Sequence, residues 1–153
     1  MPNVEPYTKE PLPNYPVVPL RSEEITVSAC QMTTKRVDPL NPGPVLKENL
    51  DHLCWLIDMG QRQGRLDLMV FPEFTLQGSA SGLWTRADFE RLAIEIPGPE
   101  TEILGQKAKA YNCYLAISCY TRQNDWPNHY FNASFIVGPS GEVISHHWKA
   151  HYD

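Results

Sequence analysis

Apolar residues in the amino-terminal half of the chain follow a strand pattern, then a helix pattern, then a strand pattern again. Residues 25–31 are rich in β-branched side chains, which favours a strand. Two prolines and a glycine at positions 42–44 end that segment. From about residue 45 to residue 60, apolar side chains recur at helical spacing, which predicts a helix with one apolar stripe. Within residues 66–74, an apolar run of strand length stops at Pro72 and is followed by Glu73, and the continuous apolar character of the run predicts a strand covered on both faces.

The carboxyl-terminal half predicts two more helices and three more strands. Thr85 and Asp88 form a capping-box pattern for a short helix that ends before Pro97. Another helix is predicted from residue 99 or 100 to residue 111, and Asn112 suits a left-handed cap. The three strands are predicted at residues 114–120, 131–137 and 142–147. This order of elements is typical of one α/β layered domain without an internal repeat.

Two charged side chains lie just past the ends of predicted strands. Glu73 follows the apolar run that stops at Pro72, and Lys149 follows the last strand. Together they suggest a general base and a cation that stabilises an oxyanion. Apolar neighbours such as Phe71 and Phe74 would take the Glu73 carboxylate out of water, which favours its protonated form and suits a proton shuttle. Considered alone, such a Glu is commonly a solvated loop residue or helix cap, and such a Lys an exposed surface charge.

Three pieces of sequence together make the chain resemble the nitrilase superfamily of carbon-nitrogen hydrolases, from about Glu24 to its end. They are the strand that ends Phe71-Pro72-Glu73-Phe74, the helix opening at 97–101, and the run from Phe131-Asn132-Ala133-Ser134 through Lys149. The resemblance implies an α/β fold, the αββα sandwich, of which this chain would supply the amino-terminal portion. It assigns Glu73 the role of general base and acid and Lys149 that of oxyanion stabiliser. It gives supporting roles to Phe74 and to His151, which forms a Lys-x-His pair with Lys149.

The family's nucleophilic cysteine is the part of the pattern that this sequence lacks. In the family that cysteine lies some tens of residues beyond the Lys, whereas Asp153 is the last residue here. We therefore expect residues 24–153 to form a partial carbon-nitrogen hydrolase domain that ends before the nucleophile. Residues 1–23, which are rich in proline, are expected to form an extended amino-terminal arm.

Neither the cysteines nor the histidines form a convincing reactive or metal-binding pattern. The four cysteines fall in apolar periodic segments, at Cys30, Cys54, Cys113 and Cys119. Each is expected to be a reduced, buried apolar residue, so none is nominated as the nucleophile. His146, His147 and His151 cluster in sequence, but neighbours on a strand point to opposite faces and no Cys-x-x-Cys pair accompanies them. We expect no metal and no cofactor.

Composition narrows the possible partners. The chain is 42% hydrophobic and has a formal net charge of −5, which does not suit a nucleic-acid partner. It contains no run of about 18 apolar residues that would span a bilayer. Because its start also lacks the basic and apolar regions of a signal peptide, we expect a cytoplasmic protein without a membrane partner.

The resemblance implies an enzyme that hydrolyses a small amide or carbamoyl compound through a Glu-Lys-Cys mechanism. Since the cysteine is expected outside this chain, the chain alone should be inactive, and a carboxyl-terminal chain that carries the cysteine is the expected partner. The parent enzyme is expected to be a homo-oligomer. The alternative is a non-catalytic nitrilase-like fragment or subunit with a structural or dimerisation role, and a metal-binding module built on the histidines is a third possibility.

Overall fold

The structure, a computed structural model, describes residues 23–80 and 82–150. Its helices are α1 (Pro42–Gln63), α2 (Arg86–Leu92) and α3 (Pro99–Tyr111). Its strands are β1 (Val27–Ala29), β2 (Leu68–Val70), β3 (Ile94–Glu95), β4 (Tyr114–Arg122), β5 (Phe131–Val137) and β6 (Val143–Trp148). Within these described ranges, no helix is long and apolar enough to cross a membrane.

All of these strands belong to one mixed sheet. Its order is β1-β2-β4-β5-β6, and β3 pairs with the far end of β4. β1, β2 and β4 are parallel, β5 runs antiparallel to β4, and β6 runs antiparallel to β5. The carboxyl ends of β2 and β6 and the amino end of β5 therefore lie at one edge of the sheet. Residues that follow β2 and β6 are brought together there, as at the carboxyl edge of open α/β sheets.

The two faces of the sheet have different environments. One face packs against α1 and α3, and the core includes Leu53, Ile57, Met69, Leu104, Ala108, Leu115, Ile117 and Phe135. The opposite face carries Ser134, which is exposed, and Ala116 and Ile136, which are half-buried. Val70 on that face is 38% exposed. The prediction that the strand at 66–74 is covered on both faces is therefore wrong for the described residues, because α1 and α3 cover only the face that carries Met69.

Helix ends follow the local signals in the sequence. Helix α1 begins at Pro42, three residues before the predicted start, because proline at the first helical turn has no N–H to leave unpaired. The capping box before α2 is confirmed: the Asp88 N–H donates to Thr85 Oγ1 at 3.3 Å, and the Thr85 N–H donates to Asp88 Oδ2 at 2.9 Å. Asn112 ends α3 with the predicted left-handed conformation, at φ 51°.

The segment after β2 differs most from the sequence prediction. Regular strand stops at Val70 because the chain turns after Pro72, yet the Phe71 N–H still donates to the Ala116 carbonyl at 2.9 Å. Strand β3 was not predicted, since two residues are too short to show a period. The predicted arm at 1–23 lies outside the described residues except for its last position.

A close approach of α3 to the β5–β6 turn provides a test of the packing. A Cβ added at Gly105 would lie 2.2 Å from the Gly141 carbonyl oxygen, so we expect Gly105→Ala to push helix and turn apart. The free energy of unfolding should fall by about 1–3 kcal/mol, as for other overpacked sites. Gly43→Ala is the control, because a Cβ there meets nothing within 4 Å. Urea titrations should show a lower midpoint only for Gly105→Ala, and equal midpoints for the two variants would contradict this contact.

Candidate active site

The segment that carries Glu73 is held by two buried amide side chains. Gln77 is fully buried, and its amide nitrogen donates to the carbonyl oxygens of Leu92 at 3.1 Å and Tyr120 at 2.9 Å. Its Oε1 accepts the Tyr120 N–H at 3.1 Å. Asn49 of α1, also buried, donates at 2.8 Å to the carbonyl of the residue before Gln77. Because buried amides need such partners, the segment is tied to β4, to the end of α2 and to α1.

Phe74 shapes the turn immediately after Glu73. Its backbone has φ 60°, in the left-handed region that residues other than glycine rarely adopt. Its ring stacks on Tyr120 with centroids 4.8 Å apart, and its carbonyl accepts the Gly78 N–H at 2.9 Å. The ring contact and the backbone hydrogen bond stabilise Phe74 in its left-handed conformation. Phe74 thus lies beside Glu73 in the chain while its ring packs on β4, and its supporting role remains a prediction.

Glu73 and Lys149 meet at the edge of the sheet, on the amino end of β5. Lys149 Nζ lies 3.3 Å from Glu73 Oε1. Asn132 Nδ2 donates to the same carboxylate oxygen at 2.5 Å, and the Asn132 carbonyl accepts the Lys149 N–H at 2.8 Å. The structure therefore brings together the two catalytic residues predicted from the sequence, with Asn132 between them.

A shallow cleft opens over this group. Its volume is about 360 Å³, and it is lined by Glu73, Ser118, Asn132, Ser134, His147 and Lys149. All of these side chains lie on or beside the open face of the sheet. A second depression of about 250 Å³ continues along that face past Ser118 and Ser134 towards Val70. The candidate site is therefore at the rim of the uncovered face, and the helices lie behind the sheet.

The Glu73 carboxylate is more accessible than the sequence suggested. Its side chain is 44% exposed and that of Lys149 is 49% exposed. Phe71 is buried in the core and Phe74 is stacked on Tyr120, so the expectation that these rings take the carboxylate out of water does not hold in the described structure. An ion pair this exposed contributes only about 0–1 kcal/mol to stability. The ion pair is therefore a minor contribution to the stability of the fold.

The sequence matches the carbon-nitrogen hydrolase family over residues 26–152. The chain belongs to the carbon-nitrogen hydrolase family. Among curated relatives, a formamidase of Helicobacter acinonychis (strain Sheeba) is 31% identical over 84 residues, which are 55% of this chain and 24% of that protein. A formamidase of Bacillus thuringiensis (strain Al Hakam) is 35% identical over 79 residues, or 52% of this chain and 23% of that protein. The aligned part of the chain thus spans about a quarter of these relatives.

Solved structures confirm the fold class. The crystal structure of an N-terminal amidase matches with a TM-score of 0.66 and 20% identity, over 84% of this chain and 29% of that one. An amidase from Nesterenkonia sp. matches with a TM-score of 0.58 and 17% identity, over 86% of this chain and 45% of that one. These structures confirm the predicted α/β fold. The predicted resemblance to the nitrilase superfamily is confirmed by the family match over residues 26–152.

Three of the four cysteines of this carbon-nitrogen hydrolase chain are not placed as activated nucleophiles. The expectation that every cysteine is buried is wrong for Cys30 and Cys54, which are only partly buried. Cys113 and Cys119 are fully buried in the core, on the helix side of the sheet, whereas Ser118 faces the cleft. Burial raises the pKa of both thiols, and burial likewise raises the pKa of Cys54 on α1. A nucleophilic thiol needs the opposite shift, which a neighbouring positive charge or helix terminus provides.

The histidines separate as strand geometry predicts. His147 pairs with Ser134 and lines the cleft, whereas His146 pairs with Phe135 on the covered face. Burial and the neighbouring His147 lower the pKa of His146, and its Nε2 accepts the Trp148 Nε1–H at 3.0 Å. Within residues 23–80 and 82–150, the structure contains no group of three or more metal-ligating side chains. His151, predicted to support the site, lies outside the described residues.

Sequence reasoning missed the polar residues that hold the site together. Asn132 appeared only as part of the family pattern, although it is 3% exposed and bonded to Glu73. Gln77 and Asn49 lie outside the motifs that carry the family resemblance. The available signal was a polar residue at a position expected to be buried: Asn132 lies within an apolar strand, and Asn49 immediately precedes Leu50 on the core side of α1. Such residues are buried only when they have hydrogen-bond partners.

Removing the Gln77 amide tests the anchor of the site. We expect Gln77→Leu to leave the Tyr120 N–H and two carbonyls buried without partners, which lowers the free energy of unfolding by about 2–4 kcal/mol. Gln31→Leu, at an exposed position, is the control for a change of residue type and should have little effect. Urea titration gives the stability, and amide hydrogen exchange should be faster at Tyr120 in Gln77→Leu. Unchanged exchange at Tyr120 would show that this amide does not anchor the segment.

Proposed function

We propose that the chain is the amino-terminal part of an enzyme that hydrolyses a small amide or carbamoyl compound and releases ammonia or an amine. The observation that carries the proposal is the meeting of Glu73 and Lys149 in one cleft, with 3.3 Å between Lys149 Nζ and Glu73 Oε1. These residues come from segments 76 positions apart, and the ion pair itself adds little stability. Membership of the carbon-nitrogen hydrolase family supports the same reaction class.

The proposed mechanism proceeds through a covalent thioester. Glu73 removes the proton from a cysteine thiol, the thiolate attacks the amide carbon, and Lys149 stabilises the negative charge that develops on oxygen. The tetrahedral intermediate collapses as the carbon-nitrogen bond breaks, and Glu73 returns the proton to the leaving amine. Water then attacks the thioester and gives a proton to Glu73. The carbon-sulfur bond breaks, the acid leaves, and the thiol regains its proton.

The nucleophilic cysteine is proposed to come from sequence that follows Asp153 in the complete protein or from a second chain. The raised pKa values of Cys54, Cys113 and Cys119 support this source, and so does the placement of Cys113 and Cys119 on the other side of the sheet from the cleft. The incoming segment would approach the open face, since α1 and α3 occupy the covered one. The complete enzyme is proposed to be a homo-oligomer.

The proposed substrate is small. Two relatives are formamidases, which supports a short acyl group and ammonia as the leaving group. The cleft of about 360 Å³ is partly open in the described residues, and an incoming segment would narrow it further. The floor of the cleft is polar, with Ser118 and Ser134 hydroxyls 3.1 Å apart. A short polar amide is better matched to this floor than a long apolar one.

A structural or dimerisation role is the alternative function. It is favoured by the open face, where Val70 and Ile136 leave apolar surface exposed that a partner would cover. The two functions differ in whether a cysteine-bearing segment accompanies the chain.

Intact-mass spectrometry of the native protein under denaturing conditions should separate these functions. We expect either a longer polypeptide or a second chain that contains the missing cysteine-bearing part. If the 17.4 kDa chain is found without any such part, the catalytic proposal fails for this protein and the structural role is favoured.

Glu73→Gln tests the proton shuttle in the complete protein. The amide keeps the shape of the side chain but cannot take up a proton, so kcat for formamide hydrolysis should fall by about 100- to 10,000-fold. Glu142→Gln removes an exposed carboxylate in the β5–β6 turn and should leave kcat unchanged. Ammonia release measures both. Near-normal turnover by Glu73→Gln would exclude this residue as the base.

A further inference from the structure

Asn132 is the buried link between the two charged side chains of the site. It is 3% exposed and lies at the amino end of β5, and it acts both as a hydrogen-bond donor and as an acceptor. Its side-chain nitrogen donates to Glu73 Oε1 at 2.5 Å, and its backbone carbonyl accepts the Lys149 N–H at 2.8 Å. One residue therefore sets the position of the Glu73 carboxylate and of the Lys149 backbone.

Both donors to Glu73 reach the same oxygen. Asn132 Nδ2 and Lys149 Nζ each approach Oε1, at 2.5 and 3.3 Å. Among the described residues, Oε2 has no hydrogen-bond partner. The two carboxylate oxygens are therefore inequivalent, since Oε1 is held by the protein and Oε2 is available to a proton donor in the cleft.

We propose that Asn132 is a positioning residue that holds Glu73 by Oε1 and thereby makes Oε2 the oxygen that takes and returns the proton. This inference rests on the proposed amide hydrolysis. The residue type fits the task, because a neutral amide donates a hydrogen bond without titrating, so its bond survives each protonation change of Glu73. An ionised carboxylate at 132 could only accept hydrogen bonds and would repel Glu73. An Ala there would leave only the longer contact from the flexible Lys149 side chain to orient the carboxylate.

The first test separates kcat from KM in the complete protein. Asn132→Ala should lower kcat for formamide by about 100-fold, because a misplacement of about 1 Å at a reacting group has an effect of that size. KM should stay within about threefold, since Asn132 is only 3% exposed in the cleft and its side-chain nitrogen is engaged by Glu73 Oε1.

A matched control separates the specific effect of Asn132 on catalysis from the general effect of removing a buried polar side chain. Thr101 is also 3% exposed, and its hydroxyl accepts the Gly98 N–H at 2.8 Å at the start of α3. Thr101→Ala should lower Tm and leave kcat unchanged. If Asn132→Ala keeps kcat within about twofold of wild type, or if Thr101→Ala loses as much kcat, the positioning role is overturned.

Asn132→Asp gives a second test with almost no change in size. Its carboxyl can donate to Oε1 only when protonated, so the ratio of its kcat/KM to that of the wild type should rise as the pH falls. A purely structural role predicts a ratio independent of pH, and that result would contradict the inference. This variant also covers the case in which Asn132→Ala fails to fold.

The hydrogen bond can be measured without turnover. In 15N NMR spectra of the complete protein, Glu73→Ala should move the two Asn132 side-chain amide protons towards each other, whereas Glu142→Ala should not move them. Unmoved Asn132 resonances would overturn the inference even in an active enzyme. Wild-type protein without amide hydrolysis would instead overturn the proposed function, and the catalytic role of Asn132 with it, so the two failures are distinguishable.

Discussion

The buried hydrogen bonds of Gln77 are the constraint on which the candidate site depends. After Val70 the chain leaves regular strand, and holding the following segment in one conformation costs conformational entropy. The hydrogen bonds of Gln77 to the Tyr120 backbone on β4 and to the end of α2, at 2.9–3.1 Å, offset that cost. Because these partners are buried, releasing the loop would leave several polar groups unpaired. Glu73 is therefore presented by a rigid segment.

The unequal faces of the sheet determine where chemistry can occur. The covered face holds the core and two of the cysteines, where burial raises thiol pKa values and keeps them unreactive. The open face has small and polar side chains beside the cleft, including Ser118 and Ser134. Polar groups are stable there because they remain in reach of water or of each other. The strand directions then bring Glu73 and Lys149 to the rim of this face from two separate strand ends.

At the rim, the hydrogen bonds of Asn132 organise charges that would otherwise be loosely held. An exposed ion pair between long side chains gains little free energy in water, because it is screened and ordering both side chains costs entropy. A buried amide changes this, because its position is fixed by β5 and its bond to Glu73 Oε1 is directional. The same residue anchors the Lys149 backbone. Preorganisation of this kind is what stabilisation of a developing charge requires.

The sequence by itself determined the family and most of the elements, but it did not show β3. Periodicity placed α3 and β5 within about one residue, and the capping box placed the start of α2, because these signals arise between neighbours in the chain. The end of α2 was predicted just before Pro97, whereas the helix stops at Leu92 and β3 follows it. The family pattern identified Glu73 and Lys149 as candidates. Only the tertiary structure decided how they are held: Asn132 meets Glu73 across 59 positions and Gln77 meets Tyr120 across 43. It also decided that Val70 is exposed, since local sequence cannot show which face of a strand its helices will cover.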